Sequence, residues 1–143
     1  MVTLHYYYTT IFYSIARRFA VKRDMDLMRR ILLRIEERSD VPPRVLTLED
    51  FFDIKEDAYV ISLHIDLLCD AGLIEVMNTS VEDGLKDFDI TRLTLAGYEY
   101  LDAVRNIKVW SRVKKTIDFV GGATLDIIKQ RAVKELSKEL GLG

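Results

Sequence analysis

The chain has 143 residues, 49% hydrophobic and 31% charged, with 7 Gly and 2 Pro, the composition of an ordinary globular protein of one domain. One Cys excludes a disulfide framework within the chain, and a chain of this length buries enough surface to need neither metal nor disulfide. The formal charge of −2 hides an asymmetry: residues 1–39 sum to +4, residues 40–104 to −11 and residues 105–143 to +5. An acidic middle between two basic ends can orient a partner or join copies of the chain over about a Debye length, roughly 8 Å at physiological salt.

Residues 1–16 carry no Lys, Arg, Asp or Glu and are rich in aromatics: Tyr6, Tyr7, Tyr8, Phe12 and Tyr13. This run is too short and too polar to span a bilayer, and Arg17 and Arg18 follow it where a secretory signal would place its charge first. Residues 1–20 therefore read as an extension: an interfacial anchor, an extra helix packed on the core, or upstream sequence translated through a misplaced start, with Val21 as an alternative start. The expected location is the cytoplasm.

Asp24 can cap a helix over about 24–39, whose Met28, Ile31, Leu32 and Ile35 recur at helical spacing. Pro42 and Pro43 end it, and Val45–Leu48 reads as a short strand before an irregular helical turn near Glu49–Phe52. The next helix is expected from about Lys55 to Ala71, with Val60, Ile61, His64, Leu67, Leu68 and Ala71 as its apolar stripe and Gly72 as its left-handed stop. Leu73–Met77 and Phe88–Leu93 read as a hairpin around Glu82-Asp83-Gly84. Thr94 then caps a third helix carrying Tyr98, Leu101 and Val104, which continues or kinks near Asn106 into Trp110, Val113 and Ile117. Gly121-Gly122 breaks the chain before a last helix, about Thr124–Leu140, with Leu125, Ile128, Ala132, Leu136 and Leu140 as its stripe.

Helix, short strand, helix ending in Ala71-Gly72-Leu73-Ile74, hairpin, and a return strand into Leu93-Thr94-Leu95-Ala96-Gly97 resembles a winged helix-turn-helix domain. The segment Ile61–Ile74 resembles the recognition helix of small bacterial winged-helix repressors. From about Val21 to Gly143 the chain resembles more closely a family of small bacterial and prophage proteins, domain of unknown function 2513. Lys22-Arg23-Asp24-Met25-Asp26-Leu27, His64–Ile74, Arg92-Leu93-Thr94 with Gly97-Tyr98-Glu99, Leu101-Asp102-Ala103, Trp110, and Gly121-Gly122 leading into Asp126-Ile127-Ile128-Lys129 carry that likeness. It implies an α+β fold: a winged helix-turn-helix core over 24–105 with a two-stranded wing, and additional C-terminal helices over 106–140, in a single domain over 21–143. It implies no activity, so function must be argued from the residues.

A recognition helix reads bases with long polar side chains and gains affinity from basic groups against phosphates. Here Lys55 stands against Glu56, Asp57, Asp66 and Asp70, leaving Tyr59 and Ser62 as base readers. The wing offers Lys86 and Arg92 among Glu82, Asp83, Asp87 and Asp89, too disordered a pattern for a calcium loop. Phosphate contacts would have to come from the basic ends. These are Lys22, Arg23, Arg29, Arg30 and Arg34 on the first helix, and Arg105, Lys108, Arg112, Lys114 and Lys115 around Trp110. Trp110 itself, in helical register with Val113 and Ile117, is better read as core, and His64 as a packed, hydrogen-bonded core histidine rather than a metal ligand or base. Cys69 points to another side of its helix. No phosphate loop, nucleophile elbow or paired catalytic residues occur. The expectation is a noncatalytic regulator of bacterial or prophage type, without cofactor or metal, that binds DNA. The alternative is an adaptor whose acidic recognition helix and basic terminal helices meet another protein, with a homodimer compatible with either.

Overall fold

A computed structural model describes residues 20–143, so the N-terminal extension, Ala20 apart, lies outside the described residues. Asp24 accepts from the backbone N–H groups of Asp26 and Leu27 at 2.9 and 3.0 Å and opens α1 (Met25–Glu37), whose Leu27, Met28, Ile31, Leu32 and Ile35 are buried. This is the expected stripe with Leu27 added. Val45–Leu48 is not a strand: Leu46 forms a single antiparallel bridge to Ile90, with bonds of 2.9 and 2.8 Å, and a 3-10 turn follows at Leu48–Phe51. Extension stops there because Asp50 reaches back to the Thr47 N–H, at 2.9 Å, and closes a capping box.

Asp57 caps α2 (Ala58–Asp70), which begins three residues later than expected. Val60, Ile61, His64 and Leu68 are buried as expected, but so are Ser62 and Ile65, while Leu67 is half-buried and Ala71 exposed. The broader buried arc has a cause: α2 packs against α1 on one side and against the hairpin on the other. Strands β1 (Ile74–Glu82) and β2 (Leu85–Leu93) are longer than the sequence implies. The connection is only Asp83-Gly84, both at positive φ (52° and 77°), so pairing extends to Glu82↔Leu85 through residues with no apolar alternation.

Thr94 caps α3 (Leu95–Val104), and Asn106 starts a separate helix, α4 (Ile107–Val120), by accepting from the Lys108 and Val109 N–H groups at 2.9 and 3.2 Å. The junction is thus a break rather than a kink. Gly121, at φ 83°, ends α4, and α5 (Leu125–Glu139) follows the Thr124 cap. Ile128 and Ala132 face inward; Leu125 and Leu136 are half-buried, and Leu140, expected in the stripe, lies exposed beyond the helix. These elements make a mixed α+β fold of five helices and one two-stranded antiparallel sheet among the described residues, with one apolar core running from Leu27 to Ala132.

Where α3 leaves the hairpin, the backbones nearly touch. A Cβ built on Gly97 would lie 2.0 Å from the Leu73 carbonyl oxygen, which already accepts from the Thr94 N–H at 3.0 Å. Gly97→Ala would gain helix propensity of about 1 kcal/mol, but it must push α3 off the hairpin. The expected net loss is about 1–3 kcal/mol, measured by urea denaturation; an Ala variant as stable as wild type would remove this contact from the account.

Candidate functional site

The surface resolves into two polar faces and a groove. On the first face, the exposed side of α2, Tyr59, Leu63, Asp66 and Asp70 follow one another at helical spacing beside the hairpin. The Asp66 carboxylate takes the Lys86 ammonium at 2.7 Å and raises its pKa through that hydrogen bond. The Tyr59 hydroxyl donates to the Asp83 carbonyl at 2.8 Å, and partial burial raises its pKa. Ser62 requires a correction: it is buried, and its hydroxyl donates to the Lys86 carbonyl at 2.6 Å, so it does not face solvent as a base reader would. Arg92 pairs with Glu75 at 2.8 Å, while Lys55 stands exposed just ahead of the helix, without an acidic partner among the described residues. The α2 side therefore joins Asp66 to Lys86 and Tyr59 to the hairpin turn, and leaves little unpaired positive charge.

The second face belongs to α4. Lys108, Arg112 and Lys115 lie four and three residues apart, one stripe of the helix, with Lys114 on the adjoining side. Lys108, Lys114 and Lys115 are exposed and have no acidic partner among the described residues. Arg112 does: it bonds Glu139 and lies 3.8 Å from the buried Glu135, which also receives Arg131 at 3.0 Å and Lys138 at 3.4 Å. Arg112 thus clamps α4 to α5. Arg105, read as a phosphate contact, is likewise committed, to Glu36 and to Asp102 at 2.9 Å, and these hydrogen bonds hold its pKa above the ordinary value.

The first helix departs further from its sequence reading. Arg29 is buried, donating Nε to the Val104 carbonyl at 2.7 Å and Nη2 to the Arg105 carbonyl at 2.8 Å, with its guanidinium 5.7 Å from the centre of the Trp110 ring. Arg34 holds Asp53 in a two-bond fork at 2.5 Å each. Neither is a surface cation. Trp110 is core, as its spacing implies, and its indole N–H donates to Asp26 at 2.9 Å.

A groove of about 830 Å³ runs between the start of α1 and the end of α4, lined by Lys22, Leu67 of α2, Trp110, Lys114 and Gly121-Gly122 among others. Arg23 crosses to the Ala123 carbonyl at 2.9 Å. His64 lies behind it, fully buried: Nε2 accepts from the Asp24 N–H at 2.8 Å and Nδ1 donates to the Val60 carbonyl at 2.7 Å. Nε2 joins α2 to the cap of α1, while Nδ1 is held within α2 by the carbonyl one turn back. No group of three or more His, Cys, Asp or Glu among the described residues is placed to hold a metal ion, and no described helix is long and apolar enough to cross a membrane.

These features define a small α+β protein whose polar side chains are mostly turned to internal bonds. Residues 22–123 match the family described as Hypothetical protein (DUF2513), and the chain belongs to that family. It is 38% identical over 123 residues to an uncharacterized protein of Haemophilus influenzae, an alignment covering 84% of this chain and 99% of the relative. No solved structure matches the chain.

Because His64 satisfies two backbone groups from a fully buried position, His64→Ala leaves a cavity and an orphaned Asp24 N–H. The expected loss is about 2–4 kcal/mol, and Gln, which can still accept, should lose less. Chemical denaturation of the three proteins checks this; an alanine variant of unchanged stability would contradict it.

Proposed function

We propose that this chain is a noncatalytic winged helix-turn-helix binding protein of the DNA-binding regulator type, and that α4 rather than α2 supplies its phosphate contacts. The order α1, bridge at Leu46, 3-10 turn, α2, β1, β2 supports the winged-helix part, with the Leu46–Ile90 bridge in the place of the first strand of such a fold and the hairpin as its wing. In that correspondence α2 is the recognition helix.

The observation that carries the assignment of phosphate contacts is the gathering on one helix of Lys108, Lys114 and Lys115, which have no acidic partner among the described residues. Exposed lysines without carboxylate partners are the groups that release counterions from a polyanion. Lys86 and Arg92, already held by Asp66 and Glu75, would have to give up those bonds first. The outer face of α2 favours a second reading: exposed Leu63 between Tyr59 and the acids Asp66 and Asp70 suits a basic protein partner.

Fluorescence anisotropy on a random duplex as salt is raised separates the two. DNA binding through α4 should weaken with a log–log slope of about 0.9 per phosphate neutralised. Lys108→Glu, Lys114→Glu and Lys115→Glu should each weaken binding and reduce that slope by about one, while Asp66→Lys and Asp70→Lys should leave binding unchanged or strengthen it. Absence of duplex binding, with a basic partner protein lost on reversal of Asp66 or Asp70, would replace this function with the adaptor.

A further inference from the structure

The lysine stripe of α4 runs on to an aromatic ring, with the exposed Asp118 beside it on the adjoining side of the helix. Continuing the spacing Lys108, Arg112, Lys115 by four residues reaches Phe119, 91% exposed, on the last turn of the helix before Gly121. At about 1.5 Å per residue the stripe is about 16 Å long, with two ammonium groups along it that have no acidic partner among the described residues and an aromatic ring at its end.

An exposed phenylalanine is costly to leave in water, and this one is not part of the apolar core formed by the described residues. A smooth duplex has little to offer it, because bases in a duplex are stacked on one another. A single strand presents free base faces beside its phosphates, and proteins that bind one combine a cationic track with aromatic side chains on which bases stack. Lys108 and Lys115 supply the track, and Phe119 supplies the ring. We infer that the α4 stripe binds single-stranded or locally unpaired nucleic acid, with phosphates along Lys108 and Lys115 and one base stacked on Phe119. This rests on the proposed nucleic-acid function and narrows its substrate class.

The full chain is titrated by anisotropy with a fluorescein-labelled oligo(dT) and with a duplex of equal length at one salt concentration, using wild type, Phe119→Ala, Phe119→Trp and Lys115→Ala. Oligo(dT) should bind more tightly than the duplex. Phe119→Ala should weaken it by roughly 5- to 150-fold with little effect on the duplex, and Phe119→Trp should retain it, with indole fluorescence quenched on binding beyond any change in wild type. Lys115→Ala should weaken both ligands. If Phe119→Ala leaves oligo(dT) affinity intact, or weakens duplex equally, the stacking site is overturned while the nucleic-acid function stands. If neither ligand is bound, both fall. Phe119-dependent binding to phosphatidylserine vesicles without oligonucleotide binding would likewise overturn the inference and make the stripe a lipid-facing one.

Discussion

A buried guanidinium joins the first helix to the C-terminal half of the chain. The last carbonyls of any α-helix lack partners within the helix, and those of Val104 and Arg105, at the end of α3, are met by Arg29 of α1. Burial lowers the Arg29 pKa and nearby Asp26 raises it, but an arginine stays protonated in a protein, so the charge persists inside. Its cost is offset by two charge-assisted bonds at the negative end of α3 and by the face of Trp110. Asp26 then fixes Trp110 through the indole N–H, and Asp24, which caps α1, is held from behind by His64. Three residues within one and a half turns of α1 thus set the positions of α2, α3 and α4.

The division of labour between arginine and lysine follows from the same chemistry. Among the described residues every arginine is engaged: Arg29 and Arg23 by carbonyls, Arg30, Arg34, Arg38, Arg44, Arg92, Arg105, Arg112 and Arg131 by carboxylates. The planar fork suits a carboxylate or a pair of carbonyls, whereas an ammonium on a flexible stem stays hydrated at little loss. Most of these pairs are exposed, and such pairs contribute about 0–1 kcal/mol each. Their larger effect is on the field outside the protein, since each removes a cation from the surface potential and leaves it to the unpaired lysines.

That distinction explains what was legible in the sequence. Helical periodicity finds α1, α2 and the buried faces of Trp110 and His64 because burial by apolar neighbours three and four residues away is a local property. The family likeness rests on residues with structural duties: Gly97 against Leu73, Asp24 under His64, Trp110 on Asp26. Ion pairing is not local. Arg29 lies 75 residues from its acceptor and Arg105 lies 69 from Glu36, so a count of basic residues along the chain reads structural arginines as surface charge. The burial of Ser62 is hidden for a related reason: it comes from the hairpin packing on a second side of α2, and the strands extend through polar residues that have no alternating pattern to reveal them. Phe119 gives no signal in the sequence, because an aromatic four residues after Lys115 reads as one more apolar helix position until its exposure is known.

The same pairing constrains how the proposed winged-helix reading would work. The hydrogen bond from Lys86 to Asp66 joins β2 to the outer side of α2, so the residues best placed to meet a groove also hold the hairpin against the helix. A phosphate approaching Lys86 competes with a carboxylate 2.7 Å away and then faces Asp70 one turn further on. Among the described residues neither Lys108 nor Lys115 is held by a carboxylate, although the Arg112–Glu139 pair lies between them and Asp118 one turn beyond Lys115, and their helix is anchored from its inner side by Val109, Trp110 and Val113. Under the proposed function, fold and contact surface are thus separated: α2 and the hairpin stabilise each other, and α4, added beyond the winged core, meets the partner.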